Sequence, residues 1–520
     1  MILTSLNFKA RLFPMSIHSK PKYYYALGAL PALVFSLNAE AKPWLDTGDM
    51  KLRHELQILS DTGMLDVPLT TWPLSSKDIH RSLEESSVKT NPNSELMDVL
   101  ASVNHRLAEE DYGSGMKLEV KARSKKLLIR DFSGEGREKG SVSYDGDWGN
   151  ALIDARLKVT VAEKSNHPSD QNLRLDESYV ASSLGNWKFT VGKQSRWWGP
   201  SWDGSLILSN NARPIPSLSM ENISSKAFNN KWLHWLGPNK LHMFIGQLES
   251  DRHIPNAKLI GSRFTFKPLK SLEVGLNRTI QWGGKGGDEN LSALFKTVLG
   301  LNENSRDDLL VGNSIAGGDI KWNLPIGKNG TNYSLYGQYI GEDRAIGTLF
   351  LGDETYLFGA SASGISNKLK GTWRTYVEAT DTSAAWFKGR ARNNIIYNHG
   401  QYKDGYRHQD ISMGHGIDSD SQMISAGAML SRKNGDFWRG WIKHAKLNLD
   451  GVRINPAAGK DVGNTGNNRG KKWSAIGVSL NKKLNRRSKL NLGLQFISEK
   501  ETGKSRDNDF SASIGYSITF

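Results

Sequence analysis

The chain has 520 residues, a formal charge of +15 and no cysteine, which excludes a disulfide framework, a thiolate metal site and a cysteine nucleophile. Its 52 Gly, 16 Trp, 15 Tyr and 17 Phe, with a mean hydropathy of −0.50, suit many strands and turns better than a helical protein. Beyond the N-terminus no apolar run of about 18 residues occurs, so no transmembrane helix is predicted.

The N-terminus reads as a secretory signal. Lys9, Arg11, Lys20 and Lys22 form a basic region, "YYYALGALPALVFSL" from Tyr23 to Leu37 an apolar core, and Ala39-Glu40-Ala41 a small-residue cleavage site. The true start is Met1 or Met15. Cleavage after Ala41 leaves a mature chain from Lys42 to Phe520; removing four bases and one acid lowers its charge to +12. A basic exported protein is expected to meet anionic surface glycans and lipopolysaccharide rather than nucleic acid.

Residues 42–112 are predicted to be a helical bundle. In "DMKLRHELQILSDTG", Leu52, Leu56 and Leu59 share a face, Asp49 is a candidate N-cap and Gly63 a stop. Ser75 and Asp78 stand at the spacing of a capping box. Leu96, Val99, Leu100 and Val103 repeat the apolar stripe. No strand signal is seen here.

From residue 113 to 520 the period changes from 3.6 to 2. Phe510, Ala512, Ile514, Tyr516, Ile518 and Phe520 alternate with Ser511, Ser513, Gly515, Ser517 and Thr519. In "GTWRTYVEAT", Trp373, Val377 and Ala379 stand against Arg374, Tyr376 and Glu378. Apolar-out and polar-in is the pattern of a barrel with lipid outside and a hydrated or polar interior. About eighteen antiparallel strands are predicted, from 118–130 to 509–520, the sixth at 220–230. Connections after even-numbered strands are mostly short. After odd-numbered strands they are longer, the largest being 195–219, 283–312, 381–421 and 450–471. This asymmetry predicts periplasmic turns and extracellular loops. An even strand count puts both barrel ends, and the helical segment, on the periplasmic side. A final Phe on an alternating strand is the usual signal to the barrel assembly machinery.

"RWWGPSWDGSLILSNNARP", from Arg196 to Pro214, is too apolar for a solvated loop and too broken for a strand. This stretch, continuing to Met220, resembles the central signature of the Wzi family of capsule assembly proteins. "VPLTTWPLSSKDIH" from Val67, "YVEATDTSAAWFKG" from Tyr376 and "YNHGQYKDGYRHQDISMGHGIDSDSQ" to Gln422 are also similar to that family. The resemblance spans the mature chain. It implies an eighteen-stranded outer-membrane barrel with a periplasmic helical bundle, and a lectin-like protein that binds exported capsular or exopolysaccharide and organises it at the cell surface.

The residues offer chemistry that suits such a role. Trp197, Trp198 and Trp202 supply flat faces and indole donors for sugar rings. Arg196 and Arg213 supply forks for uronate carboxylates, and Asp203, Asn210 and Asn211 supply partners for hydroxyls. In the loop 381–421, Trp386, Arg390, Tyr402, Tyr406 and Arg407 form a second basic-aromatic group. The first stretch also suits a lumen plug or a membrane rim, and the loop 381–421 a solvated loop. His399, His408, His415, Asp410 and Asp418 match no tight metal-ligand spacing, so neither metal nor cofactor is expected. No G-x-S-x-G, H-E-x-x-H or phosphate-binding loop occurs, and "GGKGGDEN" from Gly283 reads as a loop tip. A non-enzymatic lectin is the leading expectation. A porin-like saccharide channel is the alternative, and a barrel enzyme with paired lumenal carboxylates a third.

Overall fold

The computed structural model describes residues 44–87, 94–111, 115–149, 152–163, 171–287, 289–290, 292, 294, 312–328, 330–342, 353–384, 393–452 and 469–520. The proposed signal segment and its cleavage site lie outside them, as do Trp386 and Arg390.

The chain forms a closed antiparallel barrel of eighteen strands. In chain order they are β1 (Lys117–Arg123), β2 (Gly140–Gly149), β3 (Ile153–Ala162), β4 (Leu173–Arg174 and Tyr179–Leu184), β5 (Trp187–Lys193) and β6 (Pro216–Asn222). Next come β7 (Asn239–Gln247), β8 (Lys258–Leu269), β9 (Leu272–Trp282), β10 (Asn313–Lys328), β11 (Thr331–Glu342) and β12 (Asp353–Ser366). The last six are β13 (Gly371–Asp381), β14 (Gln422–Arg432), β15 (Phe437–Leu447), β16 (Lys471–Lys483), β17 (Ser488–Glu501) and β18 (Asp507–Thr519). Each strand pairs with its sequence neighbour, and β18 closes onto β1 from Ser513↔Arg123 to Thr519↔Lys117.

The alternation decides which face is buried. On β18, Phe510, Ile514 and Tyr516 are exposed on the outer wall, as is the terminal Phe520. On β13, Val377 faces outward, whereas Arg374, Tyr376 and Glu378 are buried in the lumen. Arg374 and Glu378 are tolerated inside because each finds partners there, Arg374 in Asp61 and Glu378 in the loop amides of Trp202 and Asp203.

The structure differs from the sequence expectation at three places in the wall. The first strand stops at Arg123 rather than running to 130. Beyond it the chain turns inward and buries Ile129 and Phe132. The fourth strand is broken between Arg174 and Tyr179. The sixth lies at Pro216–Asn222, not 220–230. There Leu218 points out and Ser217, Ser219 and Glu221 point in. The residues thereby released, 223–238, form a long turn on the helical side with Trp232 and Trp235 exposed.

Among the described residues, three helices precede the barrel: α1 (Met50–Asp61), α2 (Ser76–Ser87) and α3 (Ser94–Asp111). Asp49 caps α1 by accepting the Leu52 amide at 2.9 Å, and Ser75 Oγ accepts the Asp78 amide at 3.3 Å. The helices are not a bundle set apart from the barrel. α1 enters the lumen, where Asp61 is held by Arg374 of β13 at 2.6 Å and Lys321 of β10 at 3.1 Å. Burial opposes ionisation of Asp61, yet these two cations hold its carboxyl well below the usual range. α2 and α3 sit at the end where the turns are. Glu85 of α2 meets Lys226 at 3.2 Å, and Asp98 of α3 meets Lys433 at 2.5 Å.

Between α1 and α2 the chain is extended, contrary to the absence of a strand signal there. Glu273 of β9 accepts the Leu69 amide at 3.1 Å and the Thr70 amide at 2.8 Å. Arg263 of β8 binds Asp319 of β10 at 2.6 Å and donates to Thr71 Oγ1 at 2.7 Å. Lumenal ions of β8 and β9 thus satisfy backbone and hydroxyl groups of this segment, and Asp319 of β10 holds the arginine in place.

Candidate functional site

The long loop after β5 turns into the lumen and meets this extended segment. Trp197 and Trp198 pair antiparallel with Trp72 and Thr71, and the Gly199 amide donates to Thr70 O at 2.9 Å. The loop thus finds its edge partner in a segment more than a hundred residues earlier in the chain. Trp197 and Trp198 are fully buried and Trp202 nearly so. Around them the Arg53 guanidinium of α1 lies 4.3 Å from the Phe132 ring and 4.4 Å from that of Trp202. It donates to Pro200 O at 3.0 Å. Burial lowers the Arg53 pKa to about 9; the ring faces and nearby Glu378 offset part of that desolvation.

Barrel side chains then hold the loop from below. Glu378 accepts the amides of Trp202 at 2.6 Å and Asp203 at 3.0 Å. Asp203 meets Arg439 at 3.0 Å and Lys443 at 2.8 Å, and both cations also bind Asp131. Gln338 accepts the Leu206 amide at 2.7 Å and donates to Trp198 O at 2.8 Å. Among the described residues, no carboxylate lies within ion-pair distance of Arg196. Its fork contacts His242, Gln194 O and Ser217 Oγ, and it lies 4.4 Å from the Phe244 ring. Burial lowers its pKa to about 10.

The loop after β13 covers the first loop. Tyr397 Oη donates to Leu206 O at 2.5 Å, Tyr406 Oη to Ile207 O at 2.9 Å, and Ser209 Oγ to Gly414 O at 2.5 Å. Asn211 Nδ2 donates to Ser412 O at 2.8 Å, and Asn210 Nδ2 to Phe132 O at 2.8 Å. Tyr402 Oη reaches Gly283 O at 3.1 Å. Arg407 is fully buried. It makes a two-pronged bond to Asp418 at 2.6 and 3.2 Å, and donates to Tyr397 O and Asn398 Oδ1. The loop's polar backbone is therefore satisfied inside a compact body, which a loop this buried requires.

The structure brings the two predicted residue groups together. Arg196, Trp197, Trp198, Trp202, Asp203, Asn210, Asn211, Tyr402, Tyr406 and Arg407 all belong to this interlock with buried side chains. Arg213 alone among the described candidates is partly open; it holds Asp176 at 2.7 and 3.0 Å and touches Gln409 at 3.3 Å. His408 binds Glu249 at 2.7 Å, Asp418 serves Arg407, and His415 sits buried with its Nδ1 accepting the Ile417 amide at 3.2 Å.

Sequence reasoning missed two residues at the outer opening. Arg130 donates to Glu135 O at 2.7 Å and Asn211 O at 3.3 Å. Arg137 donates to Asn211 O at 2.6 Å. Both are half-buried. With Arg213 they set three guanidinium groups around the end of the buried stretch. Arg130 comes from the expected end of the first strand and Arg137 from the connection after it, and "IRDFSGEGREKG" offers a signal only in its arginines and glycines.

Comparison with known proteins agrees with this architecture. The family model of the capsule assembly protein Wzi matches residues 101–510. A 55.8 kDa protein in the cps region of Klebsiella pneumoniae is 30% identical over 439 residues, 82% of this chain and 82% of its own. The solved structure of Wzi from Escherichia coli, an outer membrane protein involved in group 1 capsule assembly and a carbohydrate-binding β-barrel, superposes with a TM-score of 0.77. It is 28% identical, and the match covers 92% of this chain and 99% of that one.

Proposed function

Because the chain belongs to the Wzi family of capsule assembly proteins, we propose that it binds exported capsular or exopolysaccharide at the outer face of the outer membrane and organises it there. The observation that carries this reading is the interlock. Two long loops and α1 fill the lumen with buried aromatic and ionic side chains, so the loops present a braced surface to the outside rather than the mouth of a channel. Such preorganisation lowers the ordering cost of binding a flexible polymer.

In this reading the contacts fall to two kinds of residue. Trp197, Trp198, Trp202 and Arg407 hold the loops in place from within. Arg213, with Arg130 and Arg137 beside it, sets three partly exposed guanidinium groups at the surface, where the carboxylates of an acidic glycan would share them with Asp176 and the loop carbonyls they already hold. The +12 charge of the proposed mature chain would draw such a polymer, with an attraction that salt screens beyond about 8–10 Å.

Cell-bound and released polysaccharide are measured in strains carrying each variant, with heat-modifiable mobility reporting the folded barrel. Arg130→Gln with Arg213→Gln is expected to lower retention severalfold and leave the loops protected from protease. Arg407→Ala leaves Asp418 buried without its cation, a loss of about 3–5 kcal/mol, and is expected to lower retention and expose the loop to protease together. Normal retention in both strains would refute the assignment of these loops.

A further inference from the structure

On the outer wall, β15, β16 and β17 each place a lysine in the same row. Lys446 stands opposite Lys472, and Lys472 opposite Lys500. All three side chains are exposed, and none makes a hydrogen bond or ion pair among the described residues. Adjacent strands are about 4.8 Å apart, so the row spans about 10 Å. Like charges directly opposite one another on a sheet destabilise it. An acid in the row, Asp381, lies beyond Gln422, which donates to it at 2.8 Å. The lysines therefore stand together, uncompensated by any described residue.

Their height explains what compensates them. One row below are His444, Ser474 and Ser498, and two rows below are Ile442, Ile476, Phe496 and Phe510. Ile442, Ile476 and Phe510 are among the most exposed apolar side chains of the wall. Ten residues along β16, the next outward lysine is Lys482, near the helical end. At about 3.3 Å per residue and a tilt of 35–45°, that separation is about 25 Å of membrane thickness. The two basic levels bracket the apolar belt, and the triple row lies at its extracellular edge, where outer-leaflet headgroups begin.

We infer that Lys446, Lys472 and Lys500 form a binding site for a phosphate-bearing glycolipid of the outer leaflet, which in an outer membrane is lipopolysaccharide. The acyl chains lie against the Ile442–Ile476–Phe496 surface, and the headgroup phosphates meet the three ammonium groups, which extend along the wall to reach them. The row points sideways into the bilayer, away from the loops proposed to meet capsule, so the site is independent of that reading.

Purified full-length protein in detergent micelles is mixed with bisphosphorylated lipid A, and the bound fraction is read by native mass spectrometry. Lys446→Gln/Lys472→Gln/Lys500→Gln is expected to bind at least fivefold less, with unchanged heat-modifiable mobility. Lys482→Gln is expected to bind as wild type does. Phosphatase-treated lipid A should bind wild type no better than the triple variant binds the intact lipid. If the triple variant inserts poorly, Lys472→Gln alone, the centre of the row, is expected to lower binding about twofold. Equal binding by wild type and the lysine-row variants would overturn the site. Loss of binding to lipid-free acidic polysaccharide with lipid A binding intact would also overturn it.

Discussion

His54 and His415 are imidazoles that the fold keeps neutral. Burial lowers each pKa to about 3, and for His54 the neighbouring Arg374 adds to the effect. A base whose folded pKa is lowered contributes stability fully above its unfolded pKa of about 6.5 and loses it as pH falls toward the folded value. Acidification from pH 7 to 4.5 is therefore expected to loosen the loop around His415. Asp420 works the other way. Burial raises its pKa to about 6, so between about pH 4 and 6 acid relieves a buried charge. Amide exchange of residues 393–421, corrected for the intrinsic effect of pH, checks the balance. His415→Asn should exchange less acid-sensitively than wild type, and equal sensitivity in the two proteins would exclude this histidine as the cause. At this scale the sequence is a partial guide. "RWWGPSWDGS" announces that its aromatics and arginines do something together. It does not say that Arg53 and Phe132, far away in the chain, complete their surroundings, because those contacts depend on closure of the barrel.

For the strands, a period of two was enough. The ends of β7, β9, β14 and β16 fall within a residue or so of the alternating pattern. Failures cluster where the chain leaves the wall. Past Arg123 the apolar Leu127, Leu128, Ile129 and Phe132 read on as strand, but Ile129 and Phe132 are buried inside the protein instead of facing lipid, and no local rule separates the two. Around 220–230 a serine-rich alternation ran on into a turn. The outward assignment of β18 has a direct test. Ile514 is exposed on the wall, between Leu492 of β17 and Ala122 of β1. Ile514→Lys places a charge against lipid at a cost of about 2–4 kcal/mol near the midplane. Barrel insertion, read as the heat-modifiable fraction in the outer membrane, should fall, while Ser513→Lys on the lumenal side should be milder. Equal insertion of the two variants would count against the facing of this strand.

Taken whole, the barrel is filled from both ends. The helical side was legible from turn lengths and chain order, but how far it penetrates was not. α1 reads as an ordinary amphipathic helix, yet Arg53, His54, Glu55 and Gln57 are buried as fully as its leucines, since its polar face meets polar strands instead of water. In planar bilayers the purified protein is expected to conduct far less than an open barrel of equal strand number. Removing Trp197–Asn211 should raise the conductance by an order of magnitude or more, and a wild-type current as large as that of the deletion would refute the plug.

The Arg263–Thr71 and Asp61–Arg374 contacts also impose a schedule. The residues they clasp come early in the chain and lie inside a ring whose last joint is the pairing of β18 with β1. A cylinder already zipped shut would have to admit α1 through an end crowded by α2 and α3. Docking of α1 is thus expected to precede the final zipping. Cysteines introduced at His54 and Thr372, whose side chains meet at 3.0 Å without touching the Asp61 clasp, should be joined by a short bifunctional reagent in a stalled, still-unzipped intermediate. If the bond forms only after the joint between β18 and β1 is made, the order is the reverse, and the cylinder must breathe to take in its own filling.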